Sequence, residues 1–482
     1  MKIHSIKFNF FMNTFTTLVN FLYPLVTFPY VSRVLTPTGY GGAEFAISTA
    51  QIFALVALLG VNTYGLRECA KVRDDAAKQA KLFQELLVVI SIWTVIVTIS
   101  YYVFVVLLLG SNSNMQLFLI SGLLIPLTSF GLQWFMSANE QYAFMAVRNV
   151  LIKLAILALM FLCVHTSNDV VIWVVLSVLA TGLATFANCI YAIKNIKLYS
   201  WGELKLKRHI QPLIVFFLMV ASISIYTTLD SVMLGFMTDS TQVGYYSVAV
   251  KIKNVFTAII ASLANVLIPR VAYSLAHNQK NNYYRLINIS VRVAMLYSVF
   301  TVFTGMLYAE PIILLLAGDS YRNAIAVLFA IMPAVACISF TQITSLEILT
   351  PQNKEKALSI TYCIAGVVDI VLNIILIPVW QALGAAIATT VAEFLVFLMQ
   401  LVIIAKKEKM QPYLQNTKKL VPGLVVSVFC LGVGRALFGV SLISTICVVF
   451  FSFCGLCITL LACKEPLILR IKDELLSKLT CR

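Results

Sequence analysis

Charge is scarce in this sequence: Asp, Glu, Lys and Arg together make up 11% of its 482 residues, against about 25% in ordinary soluble domains. Polar connectors are also short, and none exceeds about 20 residues, which is too few to fold around a core. A Gly-rich phosphate-binding motif ending in Lys and Ser or Thr is absent, so ATP is not expected as the direct energy source. The four histidines are scattered and indicate no enzyme site; they are His4, His165, His209 and His277.

Cysteine is present but is not arranged as a metal site. Most of the 11 cysteines lie inside apolar stretches, where a thiol usually packs as a small apolar side chain. Cys454 and Cys457 form a C-x-x-C pair, but no second pair of ligands accompanies them. We therefore expect no metal, no redox centre and no cofactor.

What the sequence has instead is a succession of about fourteen apolar stretches, each long enough to cross a bilayer core, which takes about 20 helical residues. The pattern predicts an all-α integral membrane protein. The predicted spans are residues 8–31, 43–64, 82–109, 116–136, 148–166, 169–193, 211–237, 244–269, 285–309, 323–349, 357–378, 382–405, 418–437 and 440–463.

Lys and Arg are concentrated in alternate connectors, which is the positive-inside pattern of membrane proteins. With the amino terminus inside, 28 of the 35 Lys and Arg residues fall on the cytoplasmic side, and the external connectors hold only Arg33, Arg322 and Arg435. Both termini are therefore expected in the cytoplasm. The net charge of +15 follows from this topology and indicates no nucleic-acid partner. The first span lacks a small-residue cleavage site, so no cleavable signal peptide is expected.

A weak internal repeat consists of Gly-containing turns on the predicted external side. These turns, Thr38–Gly41, Val243–Tyr246 and Leu383–Ala386, precede the second, eighth and twelfth spans. Six spans separate the first two copies, so both copies have the same orientation, and transporters are often built from such repeats. Beyond the last span, Leu467–Lys478 is amphipathic and predicts a short helix on the inner membrane surface.

Four groups of residues carry a family resemblance. They are Phe28–Leu35 with Gly39–Gly41; Leu132–Phe135 with Glu140, Tyr142 and Arg148–Asn149; Leu229–Gly235; and Asn373–Pro378 followed by Gly384–Thr389 and Glu393. In this order and spacing they resemble the bacterial polysaccharide repeat-unit flippases of O-antigen and capsule synthesis. Those proteins belong to the multidrug/oligosaccharidyl-lipid/polysaccharide exporter superfamily. The resemblance covers the whole chain.

The resemblance implies two six-helix lobes in a V around a central cavity, plus two extra helices. The lobes would be residues 1–197 and 198–405, the added helices 406–463 and a cytoplasmic tail 464–482. It also implies alternating access, by which an undecaprenyl-diphosphate-linked oligosaccharide moves to the outer leaflet of the bacterial inner membrane. The implied partners are this lipid-linked substrate, the bilayer and the polysaccharide polymerase machinery. Many members of the superfamily line the cavity with several Arg, whereas intramembrane cations here are few and mostly Lys.

Charges inside the spans are functional candidates, because a bilayer core is a costly place for them. Asp230 and Lys251 each lie about 10 Å below the outer surface on consecutive spans. They predict either a structural ion pair or a cavity wall at which Lys251 binds the diphosphate. Lys253 lies on the opposite side of its helix from Lys251. Three further cations are expected to be pathway residues or anchors that snorkel to a span end: Arg33, Lys153 and Arg292.

Two carboxylates near mid-membrane, Asp369 and Glu393, are candidates for ion coupling. An isolated buried carboxylate tends to keep its proton, so its charge state can change during transport. Asn373 lies one turn from Asp369 and favours a structural hydrogen bond there, which makes Glu393 the preferred coupling residue. The alternative for both is a neutral acid that holds helices together.

The nearest alternative function is an ion-coupled multidrug exporter of the same superfamily, in which Asp369 and Glu393 would bind a cationic substrate. An enzyme that polymerises repeat units needs a large external catalytic loop, and the predicted external connectors are too short for one. A non-transporting scaffold leaves the mid-membrane charges unexplained.

The topology can be tested with single cysteines in a cysteine-free variant. Lys197→Cys and Lys407→Cys lie in predicted cytoplasmic connectors, so a membrane-impermeant thiol reagent is expected to label them only after cells are permeabilised. Arg322→Cys, in a predicted external connector, is the positive control in intact cells. Labelling of Lys197→Cys or Lys407→Cys in intact cells would reject this topology.

Overall fold

The structure is a computed structural model that describes residues 6–109, 114–196, 204–406, 411–439, 441–466 and 469. These residues form helices, turns and bends with no strand among them, which confirms the predicted all-α class. Contacts divide the chain into two compact units, Met1–Ser247 and Val248–Arg482.

Unit 1 is built from nine helices and the start of a tenth, as far as its residues are described. They are α1 (Ile6–Leu58), α2 (Val61–Lys71), α3 (Ala76–Leu109), α4 (Met115–Ser121), α5 (Leu124–Ser129), α6 (Gln133–Ala138), α7 (Tyr142–Cys163), α8 (Val170–Asn195), α9 (Lys207–Met237) and the first residues of α10 (Ser240–Ala276). α1 packs against α3, α5, α7 and α9, and therefore forms the centre of the unit.

Unit 2 contains the rest of α10 and six further α-helices among its described residues. They are α11 (Lys280–Leu307), α12 (Ala309–Leu316), α13 (Ala324–Gln342), α14 (Glu355–Ala405), α15 (Val421–Phe438) and α16 (Leu442–Ala462), with a π-helical segment, Ile343–Leu349, between α13 and α14. α13 packs along α11 and α14, while α15 and α16 form a pair beside α11.

Two elements are too long to be single spans. α1 has 53 residues and α14 has 51, whereas about 20 residues cross a bilayer core. α1 is broken at Thr36 (φ 63°, ψ 165°), because Pro37 disfavours helical backbone at the residue before it. α14 is broken at Gln381 (φ 51°, ψ −128°), three residues after Pro378. Each break falls at a predicted external turn.

The described residues contain ten helical stretches that are long and apolar enough to cross a membrane, or eleven when one bent pair is included. Two of these stretches contain the breaks at Thr36 and Gln381, so fourteen crossings remains a prediction. The predicted fourth span, residues 116–136, is one apolar stretch but consists of the three short helices α4, α5 and α6. Gly122, Pro126 and Gly131 lie within this stretch, and such residues weaken or interrupt a helix.

The boundary between the two units differs from the boundary predicted between the lobes. The contacts place it after Ser247, because α9 packs against α1 and α2. The predicted lobes, residues 1–197 and 198–405, rest on the repeat and remain a prediction. The predicted amphipathic segment Leu467–Lys478 lies outside the described residues, apart from Leu469.

Glycines of the internal repeat allow α1 and α10 to cross closely. A Cβ atom on Gly41 would lie 1.8 Å from the Ser240 carbonyl oxygen, and one on Gly244 would lie 2.2 Å from the Pro37 carbonyl oxygen. Only glycine permits this approach. The hydroxyl oxygens of Thr38 and Thr241 are hydrogen-bonded at 2.9 Å beside the crossing. The repeated glycines therefore have a packing role as well as a role in a turn.

A buried carboxylate ties α9 to α2 and α3. Glu85 on α3 is fully buried and accepts hydrogen bonds from the Lys205 backbone N–H at 2.8 Å and from the Arg208 guanidinium. The His209 ring, also buried, places Nε2 2.8 Å from the Glu85 carboxylate and Nδ1 2.8 Å from the Tyr64 hydroxyl on α2. These groups form the Glu85 cluster.

Glu85→Ala is expected to lower the melting temperature of the purified protein strongly. The substitution leaves the buried His209 ring without its acceptor, and an unsatisfied buried polar group costs about 1–3 kcal/mol, whereas the half-exposed Arg208 regains water. Glu68→Ala is the matched control, because Glu68 pairs with the exposed Lys71 at 2.8 Å and exposed pairs contribute about 0–1 kcal/mol. Equal melting temperatures for the two variants in one detergent would contradict a stabilising role for the Glu85 cluster.

Candidate functional site

Lys153 is a cation in the middle of α7. The helix begins at Tyr142 and not at residue 148, so Lys153 lies about 16 Å, or three turns, from its start. This is deeper than the sequence predicted. The Lys153 Nζ donates to the Asn20 side-chain oxygen at 2.7 Å and lies 5.0 Å from the centre of the Tyr23 ring. Its partners on α1 are thus neutral.

Arg148, nearer the start of α7, also has neutral partners. Its guanidinium donates to the side-chain oxygen of Asn149 at 2.6 Å and to that of Asn188 on α8. Neither α7 nor α8 contains an acidic residue, and none precedes Glu44 in the sequence. Within the described part of the chain, Arg148 and Lys153 form no ion pair with a carboxylate. Both can therefore interact with an anion supplied from outside the chain.

Asp230 is buried on α9 and accepts a hydrogen bond of 2.5 Å from the Tyr246 hydroxyl on α10. Tyr246 belongs to the repeated Val243–Tyr246 motif, and sequence analysis did not identify it as a partner. The predicted pairing of Asp230 with Lys251 remains a prediction. Lys251 is half-buried and Lys253 is buried on α10 in unit 2.

The other two predicted cations differ in environment. Arg33 is exposed just before the break in α1. Arg292 is buried on α11 and forms an ion pair with Glu465, which is fully buried after the end of α16. This ion pair, rather than the predicted snorkelling, fastens the segment that follows α16 to α11, and a role of Arg292 in the substrate pathway remains a prediction.

Polar side chains gather in unit 2 where the π-helical segment meets α14. The hydroxyls of Thr344 and Ser345 both donate to the Gln400 side-chain oxygen, Ser345 at 3.0 Å. The Tyr362 hydroxyl lies 3.2 Å from that of Ser345. Glu393 is 5% exposed and close enough to interact electrostatically with Tyr362. Thr344, Ser345, Tyr362, Glu393 and Gln400 form what we call the unit 2 polar cluster.

Glu347, in the same π-helical segment, is fully buried. Among the described residues, neither carboxylate oxygen of Glu347 has a hydrogen-bond partner, and the Ser290 hydroxyl on α11, which donates to the Leu286 carbonyl oxygen, lies nearby. Sequence analysis missed this residue because it lies close to the end of the predicted span 323–349. The available signal was an acid inside an apolar span, next to a π-helical segment of the kind that is frequent at functional sites.

Asp369 and Asn373 are both fully buried on the first half of α14. The Asn373 side-chain nitrogen donates to the Asp369 carboxylate at 3.3 Å. The hydrogen bond predicted from their spacing is confirmed. Asp369 and Glu393 lie on opposite sides of the break at Gln381 in sequence.

The charges on these helices thus fall into two chemical groups. In unit 1, the half-buried Arg148 and Lys153 interact with neutral amides and can attract an anion. In unit 2, Glu347 and Glu393 are buried carboxyl groups, which can hold or release a proton. Within the described ranges, no group of three or more His, Cys, Asp or Glu residues could hold a metal ion.

Comparison with known proteins gives matches along nearly the whole chain. The family model described as polysaccharide biosynthesis protein matches residues 6–275, and the MatE model matches residues 216–375. A relative from Escherichia coli strain K12, provisionally described as an O-antigen transporter, is 24% identical over 401 residues. That match covers 80% of this chain and 93% of the relative. A relative from Shigella dysenteriae with the same description is 22% identical over 391 residues, covering 79% and 96%.

Two solved structures have the same fold. The lipid II flippase MurJ in an inward closed conformation matches with a TM-score of 0.76 at 16% identity, over 96% of this chain and 99% of that chain. An inward-facing MATE multidrug resistance transporter of the MOP superfamily matches with a TM-score of 0.57 at 15% identity, over 80% and 94%. The fold class and the family resemblance are confirmed, and these proteins are named as transporters and a flippase, not as enzymes. The model of the polysaccharide biosynthesis protein family matches more than half of this chain. The chain therefore belongs to that family, within the exporter superfamily that its sequence resembles.

Proposed function

We propose that this protein is a flippase that moves a lipid-linked oligosaccharide across the bacterial inner membrane. The observation that carries the proposal is the match to two relatives described as O-antigen transporters, over 80% and 79% of this chain. The substrate is an undecaprenyl-diphosphate-linked repeat unit, taken from the cytoplasmic leaflet and delivered to the outer leaflet for polysaccharide synthesis.

The cations of unit 1 support a substrate with a diphosphate. Arg148 and Lys153 lie on a helix without acidic residues and interact with neutral groups. A diphosphate supplies the negative charge that α7, α8 and the first 43 residues lack. Lys153 therefore joins Arg33, Lys251 and Lys253 as a candidate for the substrate pathway, and Arg292 ranks below them because Glu465 already neutralises it.

Transport by alternating access requires the predicted external contact between α1 and α10 to open. Thr38 and Thr241 are hydrogen-bonded there, and Gly41 and Gly244 allow the two backbones to touch. The described contacts between Pro37–Gly41 and Ser240–Gly244 are one hydroxyl pair and a close approach of two backbones, and separating them breaks none of the described ion pairs.

The double variant Thr38→Cys/Thr241→Cys, in a cysteine-free background, tests this opening. The hydroxyl oxygens are 2.9 Å apart, so small adjustments bring two sulfurs to the disulfide length of about 2.05 Å. Oxidation is expected to abolish flipping of a fluorescent lipid-linked oligosaccharide in proteoliposomes, and a reductant is expected to restore it. Flipping is measured as the change in the fraction of labelled lipid that is accessible to a membrane-impermeant, non-reducing quencher, such as iodide, added outside.

The controls separate the mechanism from the function. Thr38→Cys and Thr241→Cys alone are expected to flip equally in oxidant and reductant. If the cross-linked double variant flips as fast as its reduced form, opening at this contact is rejected. If the unmodified protein does not flip the oligosaccharide lipid above protein-free liposomes, the proposed function itself is rejected.

We further propose that Glu393 couples transport to a proton gradient. Glu393 is buried and interacts electrostatically with the Tyr362 hydroxyl of the unit 2 polar cluster. A buried carboxyl group can hold or release a proton as its surroundings change. Asp369 is less suited to the task, because Asn373 already donates to it.

Glu393→Gln is expected to fold and flip but to lose the dependence of flipping on an imposed pH difference. The amide keeps the size of the side chain and removes its proton exchange. Glu355→Gln is the matched control, since Glu355 is an exposed acid at the start of the same helix. If flipping by wild type and by Glu393→Gln depends equally on the imposed pH difference, coupling at Glu393 is rejected. If only Glu347→Gln loses this dependence, the coupling residue is Glu347.

A second candidate function is ion-coupled multidrug export, which the MatE match over residues 216–375 favours. The same proteoliposomes distinguish the two functions. Export of a cationic dye without flipping of the oligosaccharide lipid would establish the second function in place of the first.

A further inference from the structure

Unit 2 contains a groove of about 860 Å³ at the end that the topology predicts to be external. Its volume lies within the range of ligand pockets, about 300–1,000 Å³. The groove is formed by the ends of α11 and α15, the start of α13 and the part of α14 that follows its break. None of the residues discussed above as the candidate functional site lines it.

The rim of this groove is charged. Arg322, between α12 and α13, and Arg435, in the last turn of α15, both line it, together with Glu310. Arg322 lies 3.7 Å from Glu310 and 3.2 Å from Asp319. Arg435 donates to the Leu307 carbonyl oxygen, and among the described residues it forms no ion pair with a carboxylate. Asp319 lies just outside the lining residues, and with it the two arginines and two carboxylates at the rim are neutral overall. Arg322 is balanced by these carboxylates, so Arg435 supplies the positive charge that faces the groove.

The placement of these two arginines is unusual for a membrane protein. The predicted external connectors hold only three Lys or Arg residues, because cations are depleted on that side. Two of the three, which are far apart in sequence, meet at the rim of one groove. Their convergence indicates that the rim receives an anion.

The floor of the groove is apolar. It follows α13 from Asn323 to Ala330 and α14 from Leu383 to Val391, a depth of roughly 10–12 Å at helical rise. Phe329 and Ile387 are among its lining side chains. A charged rim above an apolar channel of this depth suits an amphiphile with one anionic head and an alkyl chain.

We propose that this groove binds a glycerophospholipid of the outer leaflet, with its phosphodiester between Arg322 and Arg435 and one acyl chain along Phe329 and Ile387. The single negative charge of a phosphodiester can be balanced by Arg435, which among the described residues has no carboxylate partner, whereas a diphosphate carries more. Glu310 accepts a hydrogen bond from a hydroxyl or ammonium of the head group. The bound lipid would fill the crevice where α13 and α14 face the bilayer.

The experiment titrates detergent-purified, delipidated protein with phosphatidylglycerol and counts bound lipid by native mass spectrometry. Arg322→Ala/Arg435→Ala is expected to bind at least about tenfold more weakly, since each cation near a membrane surface contributes to binding anionic lipid. Ala326→Phe is expected to weaken binding as well, because the added ring occupies the groove and leaves both arginines in place. Arg285→Ala, an exposed arginine on α11 outside the groove, is the matched control and is expected to bind as wild type does.

Two further ligands distinguish the source of the phosphate. Uncharged diacylglycerol is expected to bind wild type and the double arginine variant alike, and undecaprenyl diphosphate is expected to compete poorly with phosphatidylglycerol. Unchanged phosphatidylglycerol binding in Arg322→Ala/Arg435→Ala would overturn the proposal. So would loss of binding in Ala326→Phe alone, which would indicate an apolar channel without head-group recognition. Preferential binding of undecaprenyl diphosphate that depends on both arginines would overturn the assignment to a glycerophospholipid.

Discussion

A charge in the low-dielectric interior of a membrane protein needs a partner, and this constraint shapes both units of the protein. Glu85 satisfies it with donors from the start of α9, and Arg292 satisfies it with Glu465. In both cases the partners come from segments far apart in sequence, so the ion pair also fixes the position of a helix. Removing one partner from such a pair costs more than removing both, which is why these contacts are best understood as structural.

Arg148 and Lys153 meet the same constraint differently. Their partners are amide groups of Asn149, Asn188 and Asn20, which solvate a cation without neutralising it. A hydrogen bond from a neutral amide is replaceable, whereas an ion pair with a buried carboxylate must be broken at a high cost. Cations held in this way can exchange an amide for another acceptor, which is what the proposed function requires of them.

Sequence patterns predicted the helix bounds well wherever hydrophobicity alone determines where a helix begins and ends. The predicted spans 418–437 and 440–463 agree closely with α15 and α16, and the external turns at residues 38–41 and 383–386 agree with the breaks at Thr36 and Gln381. The start of α7 was missed because the charged Arg148 was placed at the edge of the predicted span, although the preceding residues Tyr142–Val147 are apolar and belong to the helix. Its earlier start places Lys153 three turns inside the helix.

Contacts between side chains on different helices could not be predicted from the sequence. The pairing of Asp230 with Lys251, inferred from their depth, remains a prediction. The contact of Asp230 with the Tyr246 hydroxyl came from the structure, because hydropathy and charge patterns do not distinguish Tyr246 from any other interfacial tyrosine. Glu347 was overlooked for a related reason, because a helix model assigns an acid near a span end to the interface. Spacing sufficed only for local contacts, such as that between Asp369 and Asn373 one turn apart.

The glycines of the repeat determine how α1 and α10 pack, and this packing bears on which helices of unit 1 can separate. Gly41 and Gly244 place two backbones in contact, and such a contact gains dispersion energy only while the surfaces fit closely. It lacks the directional ion pairs that hold α9 to α3 through Glu85. The contact at Gly41 and Gly244 is therefore the weaker of these two connections, and a conformational change that separates helices in unit 1 is expected to begin there and leave the Glu85 cluster intact.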